Sequence, residues 1–284
     1  MDSKVVVITG ASTGIGKACA LWLDKLGFLV YAGIRRETDG EQLRKDASDR
    51  LIPLVLDVTD ANSIAKATDA VREATGGELF ALVNNAGIAS GGPLEMLNLD
   101  EIRAMFEVNV IGMFAVIQSF APMIRKARGR IVNISSNSGL LSTPAMSSYC
   151  ASKFAVEALS DALRVELHAF HVSVSIVQPG NIDTPIWDKG VETSVSALND
   201  ITGEVRREYG PFIDFMLEET RDNNGGPVQE VADVVAHALT AKRPRYRYLV
   251  GEKARLYAFI AKLPTRLRDW VILKSLPKYG RALD

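Results

Sequence analysis

The 284-residue chain is 47% hydrophobic and 24% charged, with no low-complexity tract. That composition excludes intrinsic disorder and a disulfide-stapled mini-domain, and it lets a core form without metal. The net charge of −1 hides an asymmetry: residues 242–281 carry +10 and the remainder −11.

The two cysteines, Cys19 and Cys150, lie in apolar surroundings without paired spacing. They read as small buried hydrophobes, and a reduced, cytoplasmic protein is expected. The first apolar run, Val5-Val6-Val7-Ile8, is too short for a signal segment or a membrane span. It belongs to a buried strand over residues 4–9, followed by an amphipathic helix over 14–26 that Gly27 ends. Further strands are expected at 29–34, 51–56, 79–83, 130–135 and 173–178. Helices are expected at 62–75, 100–128 and 147–168. Strands separated by helices of this length imply right-handed βαβ units around a largely parallel sheet. The near-continuous apolar character of the strands agrees, because both faces of such a sheet are covered. The fold class is therefore α/β: a single doubly wound Rossmann domain, its sheet flanked by helices. After Pro185 the rhythm changes to a helical excursion over about 186–227, a helix at 228–240, a strand at 246–250 and a helical tail from 253.

The run Thr9-Gly10-Ala11-Ser12-Thr13-Gly14-Ile15-Gly16 joins the first strand to the first helix. Glycines there allow a tight turn and close approach to a pyrophosphate, while the helix N-terminus offers free N–H groups to the phosphates. At the end of the second strand, where an NAD site places a carboxylate, stand Ile34-Arg35-Arg36. Arg35 and Arg36 can pair with a 2′-phosphate, which favours NADP(H) and leaves NAD(H) open, since Glu37 lies close by.

Tyr149 and Lys153 are four residues apart on an expected helix and share one face. An ammonium beside a phenol favours phenolate, which general acid–base work requires. Ser135-Ser136 follows an expected parallel strand, on the sheet edge where ligands bind, and a hydroxyl there can donate to a substrate oxygen. The histidines His168, His171 and His237 form no cluster with other ligand-type side chains, so no metal site is expected.

Thr9 to Gly16, Asp57-Val58, Asn84-Asn85-Ala86-Gly87, Asn109, Ser136, Tyr149 with Lys153, and Pro179-Gly180-Asn181-Ile182-Asp183-Thr184 occur in order. In these motifs, over roughly residues 4–185, the chain resembles the short-chain dehydrogenase/reductase family. The resemblance implies that Tyr149 exchanges a proton with the substrate oxygen, that Ser136 polarises it and that Lys153 holds the nicotinamide ribose. Asn109 would anchor a relay water. Around the cofactor, Gly10, Ser12, Thr13, Gly14, Ile15 and Gly16 would form the phosphate turn, and Asp57 and Val58 would meet the adenine. Asn84, Ala86 and Gly87 would line the middle and stabilise the central sheet, with Pro179, Gly180, Ile182 and Thr184 around the carboxamide. A catalytically silent nucleotide-sensing or scaffold protein, a reductase of acyl-type substrates and a sugar-nucleotide epimerase are the rival readings.

The segment after Thr184 begins Pro185-Ile186-Trp187 and later offers Tyr209, Phe212 and Ile213, material suited to an apolar carbonyl or alcohol such as a steroid, retinoid or long-chain substrate. Ile186 and Trp187 are expected to touch it, beside Ser136 and Tyr149. The extra tail and the run Tyr31-Ala32-Gly33-Ile34-Arg35-Arg36 resemble the hydroxysteroid- and retinol-dehydrogenase-like branch. A homodimer or homotetramer through the helices of Asn109 and Tyr149 is what the resemblance implies. The tail sets Leu256, Phe259, Ile260 and Trp270 among basic residues. Packing onto the protein is the expectation, contact with a membrane surface the alternative, and nucleic-acid binding is not expected.

Overall fold

The computed structural model describes residues 4–186, 203–221 and 225–276. Seven strands form one sheet in the order β3-β2-β1-β4-β5-β6-β7: β1 (Val5–Ile8), β2 (Leu29–Ile34), β3 (Leu51–Val55), β4 (Ala81–Asn84), β5 (Arg130–Ile134), β6 (Ser173–Pro179) and β7 (Arg247–Val250). All six pairings are parallel, so the sheet is wholly rather than largely parallel.

Both faces are covered, which is why sequences such as Val5–Ile8 carry no alternation. On one face, α1 (Gly14–Lys25) and α8 (Val228–Thr240) pack Cys19, Leu23, Val231, Val235 and Leu239 against Val6, Ile8 and Val132. On the other, α3 (Ala61–Thr75), α5 (Gly112–Lys126) and α6 (Ser147–Glu166) bring Val71, Phe120, Ile124 and Val156 onto Val7, Leu82 and Ile131. Burying a side chain of this size contributes about 1.5–3 kcal/mol.

The connections reverse direction between β1 and β4, and a crevice opens beyond the C-terminal ends of those two strands. The expected helix over 100–128 is α4 (Leu99–Phe106) and α5 joined by a π turn at Glu107–Ile111, which bulges the helix at Asn109. The sequence reading passed over α2 (Glu37–Lys45), a short polar helix whose Gly40 fits against Ile34 and Pro53; a Cβ there would come within 2.7 Å of Ile34. In the excursion, α7 (Glu204–Arg221) buries Phe212 and Ile213.

The tail forms α9 (Ala254–Ile260) and α10 (Thr265–Ser275). It does not pack as expected. Leu256, Phe259 and Trp270 are each more than half exposed, and α10 buries none of its residues. Two short helices broken at Pro264 are what the spacing suggests, but they carry these apolar side chains outward instead of docking them.

Candidate active site

Gly10 takes φ +65, a left-handed conformation that suits glycine, and starts the turn from β1 into α1. A Cβ on Gly16 would lie 2.1 Å from the Gly10 carbonyl oxygen and 2.4 Å from Asn85 Nδ2, so the turn closes only because that position is bare. Asn85 Nδ2 donates to the carbonyls of Thr9 (3.0 Å) and Gly10 (2.9 Å), and the Thr9 hydroxyl accepts from the Asn85 and Ala86 N–H groups. The turn after β1 is thereby locked to the loop after β4. Among the described residues no side chain caps the start of α1, which leaves its N–H groups for a ligand.

A cleft of 420 Å³ runs along this edge of the sheet. Of the residues singled out in the sequence, Gly10, Ser12, Thr13, Gly14, Ile15, Arg35, Asp57, Val58, Ala86, Gly87, Ser136, Tyr149, Lys153, Pro179, Gly180, Ile182, Thr184 and Ile186 line it. Four do not. Gly16 sits behind the turn, and buried Asn109 reaches the cleft only through its neighbours. Arg36 lies outside the cleft, where its guanidinium pairs with Asp39 at 3.1 Å on a side chain 77% exposed. Adjacent residues leaving a strand point to opposite sides, and Arg35 takes the cleft side. Asn84 lies behind the cleft in its sheet-stabilising role: its Nδ2 donates to Asn133 Oδ1 (2.8 Å) inside the sheet, and Asn133 in turn donates to Ser160 (2.8 Å) on α6. Trp187 lies outside the described residues.

Tyr149 and Lys153 stand one turn apart on α6, with the ammonium 5.7 Å from the phenol ring centroid. Both are buried. Burial pushes the Tyr149 phenol up to about 12, partly offset by its hydrogen bond to Ser136. Burial pulls the Lys153 ammonium down to about 8, against the pull of Glu157 one turn further on. The sequence reading expected the lysine to lower the tyrosine; with both groups away from water, desolvation of the phenol is the larger effect. Lys153 Nζ donates to the Ile134 carbonyl at 3.2 Å. The Asn109 carboxamide accepts from Ile88 N–H (2.8 Å) and donates to Ile88 O (2.9 Å) and Ser152 Oγ (3.0 Å), tying the π turn to α6. The Ser136 hydroxyl donates to Asn137 Oδ1 (3.1 Å).

Sequence reasoning named Ile186 at this end of the cleft but missed Ile88 and Ala89, which complete an apolar wall with it. Ala89, Met105 and Tyr149 form a buried cluster against which Ile88, Met146 and Ile186 pack. These residues come from four separate stretches, and no spacing within any one of them signals the cluster.

A family model described as short chain dehydrogenase matches residues 4–194. The chain belongs to that family. Retinol dehydrogenase 7 of Mus musculus is 40% identical over the whole of this chain and 92% of its own length. The 17-beta-hydroxysteroid dehydrogenase type 6 of Homo sapiens is 38% identical over the same shares. Among solved structures, a short-chain dehydrogenase from Streptomyces avermitilis superposes with TM-score 0.78 at 29% identity, covering 96% of this chain and 98% of its own. One from Burkholderia cenocepacia in complex with NADP superposes with TM-score 0.73 at 25% identity, covering 95% and 98%. As a short-chain dehydrogenase the protein is an oxidoreductase acting on CH–OH and C=O groups, on a fold that binds a nicotinamide cofactor.

The expectation of a cytoplasmic protein does not stand. The likeness extends over the whole chain to proteins named for lipophilic substrates, retinol and a hydroxysteroid. Among the described residues the helix Leu99–Lys126 matches a membrane span by length and composition alone, and its α5 part is packed into the core, so it adds nothing to that finding. Buried cysteines and a short first apolar run do not bear on it either.

Gly16→Ala should weaken nicotinamide cofactor binding by about tenfold or more, because the added methyl must push the Gly10 carbonyl out of the turn. Fluorescence titration with the reduced cofactor measures this, and wild-type affinity would show that the turn is not the cofactor cradle.

Proposed function

We propose that the chain interconverts a secondary alcohol and a carbonyl on a retinoid- or steroid-like substrate, with NADP(H) as hydride partner and Tyr149 as proton donor and acceptor. The observation that carries this reading is the meeting of Tyr149, Ser136 and Lys153 beside an apolar wall of Ile88, Ala89 and Ile186. A substrate with few polar groups loses little by leaving water for such a wall.

The cleft fits a dinucleotide. A bare Gly16 turn, an uncapped helix start and the buried Ser135 hydroxyl, which has no hydrogen-bond partner among the described residues, all belong to one crevice. When bound, the nicotinamide would supply or accept the hydride. Gly10, Ser12, Thr13, Gly14 and Ile15 would hold the phosphates, Asp57 and Val58 the adenine, and Lys153 the nicotinamide ribose hydroxyls. Thr184 and the Ile182 backbone would hold the carboxamide. Arg35 is the cation at the cleft on this side, which favours the 2′-phosphate of NADP(H) over NAD(H).

With its phenol held up near 12, Tyr149 is protonated at neutral pH and ready to donate to a carbonyl oxygen as negative charge develops on it. Ser136, already hydrogen-bonded to Tyr149, would turn its hydroxyl from Asn137 to that same oxygen. In the oxidative direction the phenol must first lose its proton, and the neighbouring Lys153 ammonium is the charge that stabilises the phenolate. Asn109 acts as a positioning residue, and a relay water there would use the main-chain carbonyl of the π turn, since its carboxamide is taken by Ile88 and Ser152. A silent scaffold would have no use for a lysine kept at the cost of burial. The chain is read as a single domain that associates as a dimer or tetramer; half-exposed Ile111, Phe114 and Phe154 on the helices of Asn109 and Tyr149 support such association.

Tyr149→Phe should cut turnover of a retinoid or steroid alcohol by about 10²–10⁴ with cofactor affinity nearly unchanged. Steady-state kinetics and cofactor titration test this, and turnover near wild type would remove the phenol from the chemistry. Arg35→Ala should weaken NADPH binding by about tenfold or more while NADH binding barely changes, and Arg36→Ala should leave both near wild type. Equal losses of NADPH and NADH affinity in Arg35→Ala would show that the arginine does not read the 2′ position.

A further inference from the structure

The basic charge of residues 242–281 has a focus in the fold. Arg245, Arg247 and Leu249 alternate into and along β7, so they leave the chain on one side. Arg255, Ala258 and Lys262 follow helical spacing along α9 and the turn after it, so they share one face. The two faces meet around a cavity of 370 Å³, away from the catalytic cleft, which all six residues line. Ala258 and Ala261 stand between the two helix cations and leave the space open, while Leu140 and Leu249 give it an apolar part.

The cations of this cavity are unevenly compensated. Arg247 gives Nε to Glu157 (3.1 Å) and Nη2 to Asp161 (2.6 Å), two of its five N–H donors. Arg245, Arg255 and Lys262 form no ion pair among the described residues, and no described carboxylate lines the cavity. Three unpaired cations around one hollow repel one another, and an anion entering it relieves that repulsion. A phosphate monoester brings about −1.5 to −2 charge and three acceptor oxygens at neutral pH, so it answers three cations better than a carboxylate does. The volume lies in the range of small-molecule sites, about 300–1,000 Å³, and leaves room for more than a bare ion.

We propose that this cavity binds a small organic phosphate monoester, its head among Arg245, Arg255 and Lys262 and its compact apolar body against Leu140, Leu249 and Ala258. Such a site touches the catalytic residues at one remove. Arg247 and Gln178 line the cavity and also hold Glu157, Gln178 Nε2 donating to Glu157 Oε1 at 2.9 Å. Glu157 is the carboxylate one helical turn from Lys153. A phosphate that draws on the remaining donors of Arg247 changes how firmly Glu157 is held, so occupancy is felt at the Lys153 ammonium. The site lies outside the cleft and its binding is read without turnover, so it fails separately from the oxidoreductase reading.

The test is calorimetric titration of the full chain with phenyl phosphate, run with the nicotinamide cofactor saturating so that the cleft is closed to the probe. Phenyl phosphate should bind, and inorganic phosphate and phenol should each bind at least about tenfold more weakly. Arg255→Ala/Lys262→Ala should weaken phenyl phosphate by about tenfold or more. Ala258→Leu, which fills the hollow at unchanged charge, should do the same, with the melting temperature of both variants at the wild-type value. Lys45→Ala/Lys66→Ala removes two exposed cations elsewhere and should leave the affinity unchanged. In protein carrying ¹³C-labelled lysine, saturating phenyl phosphate should move the Lys153 ε-methylene resonance, and Glu157→Gln should at least halve that movement. Binding that appears only without cofactor would place the probe in the cleft and overturn the proposal. Inorganic phosphate bound as tightly as the ester, full affinity in Ala258→Leu, or an equal loss in Lys45→Ala/Lys66→Ala would also overturn it. A Lys153 resonance unmoved at saturation would overturn the link to the catalytic lysine.

Discussion

Lys153 carries its ammonium into a place that water barely reaches. An isolated charge there would cost several kcal/mol or shed its proton, and burial does pull this group down to about 8. What keeps it mostly charged at neutral pH is local: the Ile134 carbonyl at 3.2 Å and the carboxylate of Glu157 one turn away. Glu157 is itself held by Gln178 (2.9 Å) and Arg247 (3.1 Å), so the support runs from α6 through β6 to β7. Tyr149 shares the same dry pocket, and its phenol responds to burial by keeping its proton. The pair therefore depends on how tightly α6 is pressed against the sheet edge.

That pressing comes from polar contacts that cross between elements. Asn133 bridges Asn84 on β4 to Ser160 on α6, and Asn109 bridges the loop after β4 to Ser152 on α6. Asn85 does the same between the loop after β4 and the turn after β1. Each is an amide that satisfies several backbone or side-chain groups at once, which a buried polar side chain must do to be tolerated. The cofactor cradle and the proton-transfer site are thus two ends of one hydrogen-bonded edge.

The sheet was legible because parallel strands covered on both faces leave runs such as Val5–Ile8 with little polar content. The glycine turn and the Tyr149–Lys153 pair were legible because their spacing sits at fixed points of that rhythm. Other features left no mark in composition. The helix α2 is short and polar, and a π turn at Glu107–Ile111 uses residues that would suit an ordinary helix. Arg35 and Arg36, or Asn84 and Asn85, look equivalent in a string of letters; only the side each takes on leaving its strand separates cleft from solvent or sheet. The tail's apolar spacing was visible too, but whether it meets protein or something else depends on where α9 and α10 come to lie. The compartment rested on the chain's weakest signal, two buried cysteines, and the likeness to dehydrogenases of lipophilic substrates corrected it.

The most direct test of the central claim is to titrate the buried lysine itself. Lysine labelled with ¹³C at the ε-methylene, its Lys153 resonance assigned by loss in Lys153→Met, reports the ammonium by chemical shift in the cofactor-free protein. The account predicts a midpoint at about 8. A midpoint at the ordinary lysine value of 10.5 would mean that Lys153 is solvated, and that the site is not the dry pair described.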